Sequence, residues 1–348
     1  MPDHGGAHPP LLELTLARLR EFVREPEALF WVFIFPVIMA FALGIAFRAR
    51  GEEAVLVGIL DADGRAALEA ALDRTSGIET RIVAPPDLQL TLQRAEVQIV
   101  VEPGEPPVYH YDPTRTESLL ARRVLDDALQ RAAGRTDVFR AREAQVEAVG
   151  SRYIDWLLPG LLGMNVMSTG LWGLGFSIVV ARTRKLLKRL VASPMRRRDY
   201  LLAQLLGRLV FLVPEVGLLL AFGWFAFGVP QRGPWWLLAA TCLVGALSFG
   251  GLGLLLASRA RTVEAVSGLI NVVMLPMWIL SGVFFSAANF PPPMQPVIQA
   301  LPLTALNDAL RAIMLEGASL PAVAGELALL AGWGVAGFGL ALLWFRWR

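Results

Sequence analysis

The residue types that usually carry catalysis or bind metals are few and scattered in this chain. Its one cysteine, Cys242, excludes an intrachain disulfide and a cysteine metal cluster, and its three histidines, His4, His8 and His110, are too dispersed for a metal site. The phosphate-binding motif GxxxxGK followed by Ser or Thr does not occur, nor do GxSxG and HExxH. The sequence therefore predicts no catalytic residue, no metal site and no cofactor bound by this chain.

Charged side chains within long apolar runs are a second source of chemistry. Glu215 stands beside Pro214 in such a run, where a charge at the bilayer centre costs roughly 2.5–3.5 kcal/mol on insertion scales. Arg208 lies seven residues earlier and therefore on the same face of a helix. Two interpretations follow: an ion pair near the cytoplasmic boundary, or a carboxylate with a function of its own.

Two stripes of polar or large side chains recur at helical spacing within apolar runs: Asn165, Ser168 and Thr169 in one, and Asn271, Met274 and Trp278 in the other. Steps of three and four residues place each stripe on one face of a helix. A stripe of this kind either lines a substrate path or hydrogen-bonds neighbouring helices.

The composition favours a membrane protein. Of the 348 residues, 55% are hydrophobic and 18% charged, and the mean hydropathy is +0.52, whereas a soluble domain is about 45–50% apolar and about 25% charged. A helix needs about 20 apolar residues to cross the hydrocarbon layer. Six stretches reach that length: 28–47, 156–181, 205–229, 234–257, 265–285 and 325–345. The predicted fold is thus an α-helical membrane protein with six transmembrane helices, one before and five after a long insertion.

The positions of arginine and lysine indicate the orientation of the chain. Fifteen of them lie in 1–27, in 182–199, just after the fourth span and at the carboxyl end, against two, Arg232 and Arg311, in the short loops of the opposite side. Both termini are therefore predicted to be cytoplasmic. The insertion is predicted to be extracytoplasmic, since long domains cross a membrane regardless of their charge.

The insertion, 48–152, is predicted to be a small mixed α/β domain ahead of a membrane domain over 153–348. Short β-branched runs favour three strands, at 55–60, 97–101 and 108–111. Apolar residues recurring at steps of three and four predict two helices, over 64–74 and 117–149. The second of these helices is expected to run on into the second span.

The segment 11–25 predicts an amphipathic helix. One arc of the helix collects the apolar residues Leu11, Leu12, Leu16, Leu19, Phe22 and Val23. The opposite arc collects the charged residues Arg18, Arg20, Glu21 and Arg24. A helix of this pattern lies in the membrane interface.

The stretch between the fifth and sixth spans fits neither a span nor a plain loop. No charged residue occurs over 265–307, which is too long for one span and too short for two spans with a loop. Three consecutive prolines, 291–293, interrupt it, and a short helix is predicted over 303–315. A re-entrant or interfacial hairpin over 286–320 on the outer side fits best.

The basic loop 182–199 carries an ordered apolar face. Apolar residues recur at 186, 187, 190 and 191 among arginines and lysines, and Pro194 ends the helical turn. Contact with anionic lipid head groups explains the positive charges but leaves the apolar face unexplained. Docking to a partner protein explains the apolar face as well and is the favoured interpretation.

Several blocks resemble the type-2 permeases of ATP-binding-cassette (ABC) exporters. The stretch LKRLVASP at 187–194 resembles the coupling loop of that family, in which a leucine-rich turn ends at Ser-Pro or Thr-Pro. The later blocks that carry the resemblance are Glu264, Leu-Pro at 275–276, Leu-Ser-Gly-Val-Phe at 280–284, Leu-Pro-Leu-Thr at 301–304 and Asp-Ala-Leu-Arg at 308–311. The order of one span, an outer domain and five spans is similar to the subgroup with a large extracytoplasmic domain between the first two transmembrane helices.

One departure from the family concerns the start of the coupling loop. Many members have an acidic stretch containing Gly-Thr there, whereas this chain has Arg-Thr-Arg-Lys at 182–185. The docking surface on the partner is therefore expected to be acidic.

The resemblance implies a half-transporter of a bacterial cytoplasmic (inner) membrane. Two permease chains, identical or closely related, would assemble with two copies of a separate ATPase that binds ATP and Mg²⁺. ATPase closure would push the coupling loop and the amino-terminal helix, and the spans would move an amphiphilic, drug-like or lipid-like substrate outward. The chain itself would be no enzyme, and its other contacts would be membrane lipid rather than nucleic acid.

The resemblance also implies roles for particular residues. Those expected to couple the chain to the ATPase are Arg184, Lys185, Leu187, Lys188, Leu190, Val191, Pro194 and Glu264. Those expected along the substrate path are Asn165, Ser168, Trp172, Asn271, Met274 and Trp278.

Two other functions stay open on the sequence. In a mechanical signalling permease, ATPase motion would reshape the outer domain without transport, but such proteins usually have four spans. A structural or receptor protein without an ATPase would leave the docking loop unexplained.

Overall fold

The computed structural model describes residues 10–47, 54–73, 75, 77–136, 139, 142, 150, 152–185 and 197–344. The chain divides into two compact units, Met1–Arg48 with Glu147–Arg348, and Ala49–Val146. In its described residues the first unit is helical, whereas the second combines a β-sheet with helices.

The first unit begins with two helices, α1 (Pro10–Val23) and α2 (Pro26–Ala46). Proline suits the first turn of α2 because the N–H that it lacks has no partner there in any case. A π-helical segment, Phe30–Ile34, lies within α2. The side chains of Phe41 and Ile45 are more than half exposed on α2, as they would be on a helix surrounded by lipid.

The second unit is a four-stranded sheet with helices on both faces. Its elements are β1 (Val55–Leu60), α3 (Arg65–Leu72), β2 (Ile78–Val83), α4 (Leu88–Gln93), β3 (Ile99–Glu102), β4 (Val108–His110) and α5 (Thr116–Ala132). The strand order is β2-β1-β3-β4, with β1 parallel to β2 and β3, and β4 antiparallel to β3. Ile59 and Leu125 belong to the core on the side of α3 and α5, and Val100 belongs to the core on the side of α4.

Two features of this unit differ from the sequence analysis. Strand β2 was not among the predicted strands, because Glu79, Thr80 and Arg81 interrupt its apolar residues. The predicted extent of the helix over 117–149 is wrong, since α5 ends at Ala132. Gly134 follows with φ of +98°, a left-handed conformation that commonly ends helices.

The rest of the first unit consists of further helices. They are α6 (Tyr153–Thr183), α7 (Arg197–Phe227), α8 (Trp235–Arg259), α9 (Val263–Leu280), α10 (Gln295–Gln299), α11 (Pro302–Arg311) and α12 (Ala324–Trp344). Within the described residues, six helices are long and apolar enough to cross a membrane: α2, α6, α7, α8, α9 and α12. These six correspond to the six apolar stretches of the sequence.

Helices α6 and α8 form the centre of the first unit. In the most apolar 18-residue stretch of each helix, 61% of the residues of α6 and 72% of those of α8 are buried, against 17–22% in the other four candidate spanning helices. Glycines bring the two backbones together: a Cβ added at Gly253 would lie 2.9 Å from Gly170 O, and one at Gly175 would lie 2.8 Å from Gly253 O. Because both distances are shorter than real Cβ contacts, only glycine permits this approach.

The segment between α9 and α12 is a series of short helices. The predicted fifth span is too long, because α9 ends at Leu280 and Gly282 then turns the chain with φ of +71°. Every residue of α11 except Asp308 is buried. A π-helical turn, Ala312–Glu316, follows α11 directly. The residues predicted to form a hairpin thus place one short helix inside the protein.

Candidate functional site

One turn of α6 contacts three other helices through Asn165, Ser168 and Thr169, which we call the contact turn. Asn165 Nδ2 donates to Val32 O in the π segment of α2 at 3.0 Å. Ser168 Oγ lies 2.8 Å from Met164 O of its own helix and 3.7 Å from Met274 Sδ of α9. Thr169 reaches α7, so the contact turn links α2, α7 and α9 at one level of α6.

A buried ion pair on α7 meets Thr169. Arg208 Nη1 lies 2.7 Å from Glu215 Oε2, and the two side chains are 6% and 0% exposed. Thr169 Oγ1 lies 3.1 Å from Glu215 Oε1 and 2.8 Å from Asn165 O, and it accepts a hydrogen bond from Arg208 Nη2. Of the two interpretations of Glu215 in the sequence, the structure therefore shows the ion pair.

The predicted path residues differ in their exposure. Asn165 and Met274 are buried, and Ser168 is partly buried. Trp172 is partly buried beside Phe176, with 5.4 Å between the ring centroids. The structure thus brings Ser168 and Met274 together but gives Asn165 a partner in α2.

The two other path residues lie on α9. Asn271 is exposed, and so are its neighbours Val272 and Leu275. Trp278 is partly buried, and its buried Nε1 has no hydrogen-bond acceptor among the described residues. Asn271 is therefore an exposed polar group with exposed apolar neighbours on α9.

The predicted coupling residues are described only in part. Arg184 and Lys185 are exposed at the end of α6, and Glu264 is exposed in the first turn of α9. Thr262 caps that turn by accepting a hydrogen bond from Ala265 N at 3.2 Å. The other predicted coupling residues, Leu187, Lys188, Leu190, Val191 and Pro194, lie outside the described residues.

Arginines at the two ends of α6 cap neighbouring helices. Arg182 Nη1 donates to Ala257 O and Ala260 O at the end of α8, at 3.1 and 2.9 Å. Arg152 Nη1 donates to Phe227 O at the end of α7 at 2.9 Å. The hydrogen bond from Arg152 to the Asp155 carboxylate raises the pKa of the Arg152 guanidinium above its ordinary value. Both caps place positive charge at the negative end of a helix dipole.

Arg18 of α1 points into the protein, which corrects its expected place on the outward charged face. Its Nη2 donates to Gly173 O of α6 at 3.2 Å, and its Nη1 pairs with Glu21 Oε2 at 2.8 Å. Room for its stem comes from Gly207 of α7, where an added Cβ would lie 3.1 Å from Arg18 Cγ. The apolar residue Leu12 is 46% exposed instead. Sequence periodicity missed this contact because it depends on glycines of other helices.

Arg311 of α11 is buried, although its position in the sequence suggested an outer loop. Its guanidinium donates to Gly282 O and lies 3.5 Å from the centre of the Trp156 ring. On the same helix, Asn307 Nδ2 donates to Ser281 O at 2.8 Å. The turn after α9 is thus attached to α11 by two side chains.

Among the described residues, no group of three or more His, Cys, Asp or Glu side chains could hold a metal ion. The contacts that the described helices make in this region are hydrogen bonds, together with the ion pair of Arg208 and Glu215.

Known proteins are similar in sequence to most of this region. A family model described as ABC-2 type transporter matches residues 115–315. The Escherichia coli (strain K12) protein named Probable multidrug ABC transporter permease YbhR is 28% identical over 172 residues, which cover 49% of this chain and 47% of YbhR. The chain thus matches about half the length of that relative.

Two further relatives come from the same organism. Probable multidrug ABC transporter permease YbhS is 22% identical over 341 residues, with 87% of this chain and 88% of YbhS covered. Inner membrane transport permease YadH is 27% identical over 143 residues, with 41% of this chain and 56% of YadH covered.

We expect Glu215→Leu to lower the free energy of unfolding by about 3–5 kcal/mol, because it leaves the buried Arg208 guanidinium without its partner. The double variant Arg208→Met with Glu215→Leu removes both charges and should recover most of that loss. SDS-induced unfolding followed by tryptophan fluorescence measures both, with Glu264→Leu at an exposed site as the control. Equal destabilisation by the single and double variants would contradict the role given to the pair.

Proposed function

Since this chain belongs to the ABC-2 type transporter family, whose model matches more than half of its residues, we propose that it is the membrane permease subunit of an exporter. The family match carries this proposal. ATP and Mg²⁺ would be bound by a separate ATPase subunit, because the sequence has no phosphate-binding loop of its own. The names of YbhR and YbhS describe multidrug permeases, which supports an amphiphilic, drug-like or lipid-like substrate.

A second permease chain, identical or closely related, would face α9. Asn271 lies eight residues into this helix of 18 residues, about 12 Å from its start at 1.5 Å per residue. An exposed amide at that depth is unfavourable in lipid, since no water is available there. The same amide is favourable beside a second chain or a hydrated path, which supports the expected lining role of Asn271 and Trp278.

The cytoplasmic contact with the ATPase would be made by the loop 182–199. Arg184 and Lys185 are exposed where α6 ends, so they can meet an acidic surface. We assign the apolar part of this docking face to Leu187, Leu190 and Val191. Closure of two ATPase copies around ATP would then push on the end of α6 and on α1.

In the proposed orientation, α1 and 182–199 lie in the cytoplasm of a bacterium and 48–152 lies outside the inner membrane. Trp224, Trp235 and Trp236 are each at least 60% exposed around the turn between α7 and α8, and tryptophan favours the interface between membrane and water. The short helices α10 and α11 would lie on the outer side as a re-entrant hairpin. In the described part of the chain, six helices are long and apolar enough to cross a membrane, which suits an exporter better than a four-span signalling permease.

We expect Leu190→Asp to weaken docking of the ATPase at least about tenfold, because burial of one leucine is worth about 1.5–3 kcal/mol. Replacing Arg184 and Lys185 by Ala should act mainly on association rate and salt dependence, since rim charges steer more than they hold. Co-purification of an ABC ATPase with each variant at two salt concentrations measures both effects. The opposite ranking would identify the loop as a lipid anchor.

The orientation is tested by cysteine labelling in a Cys242→Ser background. Asp87→Cys should react with an impermeant maleimide added outside intact cells, and Thr183→Cys should react only after the membrane is opened. Both positions are exposed in the structure, so failure to label is not expected from burial. Labelling in the reverse pattern would overturn the topology.

We expect Asn271→Phe and Trp278→Ala to change the relative export of amphiphiles by about tenfold or more, since one changed pocket contact is worth about 1–3 kcal/mol. Val213→Phe is the matched control, because Val213 is 73% exposed on the apolar surface of α7. Efflux of ethidium and of neutral dyes from cells measures the change. Wild-type efflux in both variants, or failure of both to fold, would remove support for the path.

A further inference from the structure

The π-helical segment of α6, Leu171–Phe176, alters the hydrogen bonding of the next turn. In a regular α-helix the N–H of Ser177 would donate to Gly173 O. Here it donates to Leu174 O instead. The Gly173 carbonyl accepts two side-chain hydrogen bonds, from Ser177 Oγ at 2.6 Å and from Arg18 Nη2 at 3.2 Å.

Arg18 belongs to a different helix from the segment that it caps. The stem of Arg18 crosses α7 at Gly207. The Nη1 atom of Arg18 pairs with Glu21 Oε2. Phe22, one turn further along α1, contacts Phe211 of α7 with 4.2 Å between the ring centroids. A shift of α1 along α7 would therefore carry the Arg18 guanidinium away from Gly173.

We propose that Arg18 is a positioning residue that couples movement of α1 to the contact turn of α6. It does so by holding the π segment in place through the Gly173 carbonyl. This proposal rests on the proposed function, because movement of α1 is attributed to the ATPase.

The π segment determines how the contact turn would move when α1 moves. A π-helical turn holds one residue more than an α-helical turn. When the segment is lost or moves past the contact turn, that turn rotates by about 100°, the angle per residue of an α-helix. Ser168 then leaves Met274 of α9, and Thr169 leaves the pair of Arg208 and Glu215. One rotation thus changes the predicted path and releases α7 together.

The first arm of the test uses the full chain in lipid nanodiscs without an ATPase. Hydrogen–deuterium exchange of residues 171–177 should become at least tenfold faster in Arg18→Ala, because a cap of the segment is lost. Gly207→Val should have the same effect by displacing the arginine stem while keeping its charge. Arg20→Ala is the matched control, since Arg20 is an exposed arginine of the same helix. Unchanged exchange in both Arg18→Ala and Gly207→Val would overturn the proposal.

The second arm uses the complex with the ATPase that co-purifies with the chain. ATP with vanadate should change exchange at residues 164–170 in the wild type and in Arg20→Ala. In Arg18→Ala that change should fall at least fivefold while ATP hydrolysis continues, an outcome that loss of stability alone would not produce. A full response in Arg18→Ala would overturn the coupling role. If no ATPase binds the wild type, the proposed function fails and the coupling role with it, whereas the first arm still decides whether Arg18 holds the segment.

Discussion

No water is available inside a hydrocarbon layer, so each polar group buried there must find its partner within the protein. In the described part of the first unit, four arginines donate to backbone carbonyls: Arg18 to Gly173, Arg152 to Phe227, Arg182 to Ala260 and Arg311 to Gly282. The guanidinium has five N–H donors in a fixed plane, so one side chain can satisfy a helix end and still bind a carboxylate. Polar contacts that avoid a desolvation penalty therefore also fix where the helices lie.

Close packing of α6 on α8 gives these contacts their rigidity. Lipid tails are as apolar as leucine, so small residues that let backbones approach contribute much of the association of helices in a membrane. Gly170 directly precedes the π segment of α6, Gly175 lies within it, and both lie against Gly253 of α8. The irregular turn thus lies within a close contact between two helix backbones. A change in this turn cannot be absorbed locally, because the backbone of α8 is already in contact.

The sequence predicts those features of the fold that the thickness and polarity of the bilayer determine. Apolar run length gives the spans, because hydrocarbon thickness sets a minimum helix length. Seven-residue spacing makes an ion pair of Arg208 with Glu215 one of the two interpretations that the sequence leaves open. The destinations of Arg18, Asn165 and Arg311 were not predictable, since each depends on a carbonyl or glycine of a distant helix. The π segments have no periodic signal, because one inserted residue changes the hydrogen bonding without changing the apolar character. The path and coupling residues stay predictions, as the surfaces that they would meet belong to other chains.

The length of α6 has a mechanical consequence. Its uncharged stretch, 156–181, has 26 residues, about 39 Å of helix at 1.5 Å per residue, whereas the hydrocarbon layer is about 30 Å thick. The helix must therefore tilt or project beyond the lipid tails. If it projects, the basic loop begins beyond the lipid tails, at the end of a long helix. A force applied at Arg184 would therefore tend to rotate α6 about its glycine contact with α8.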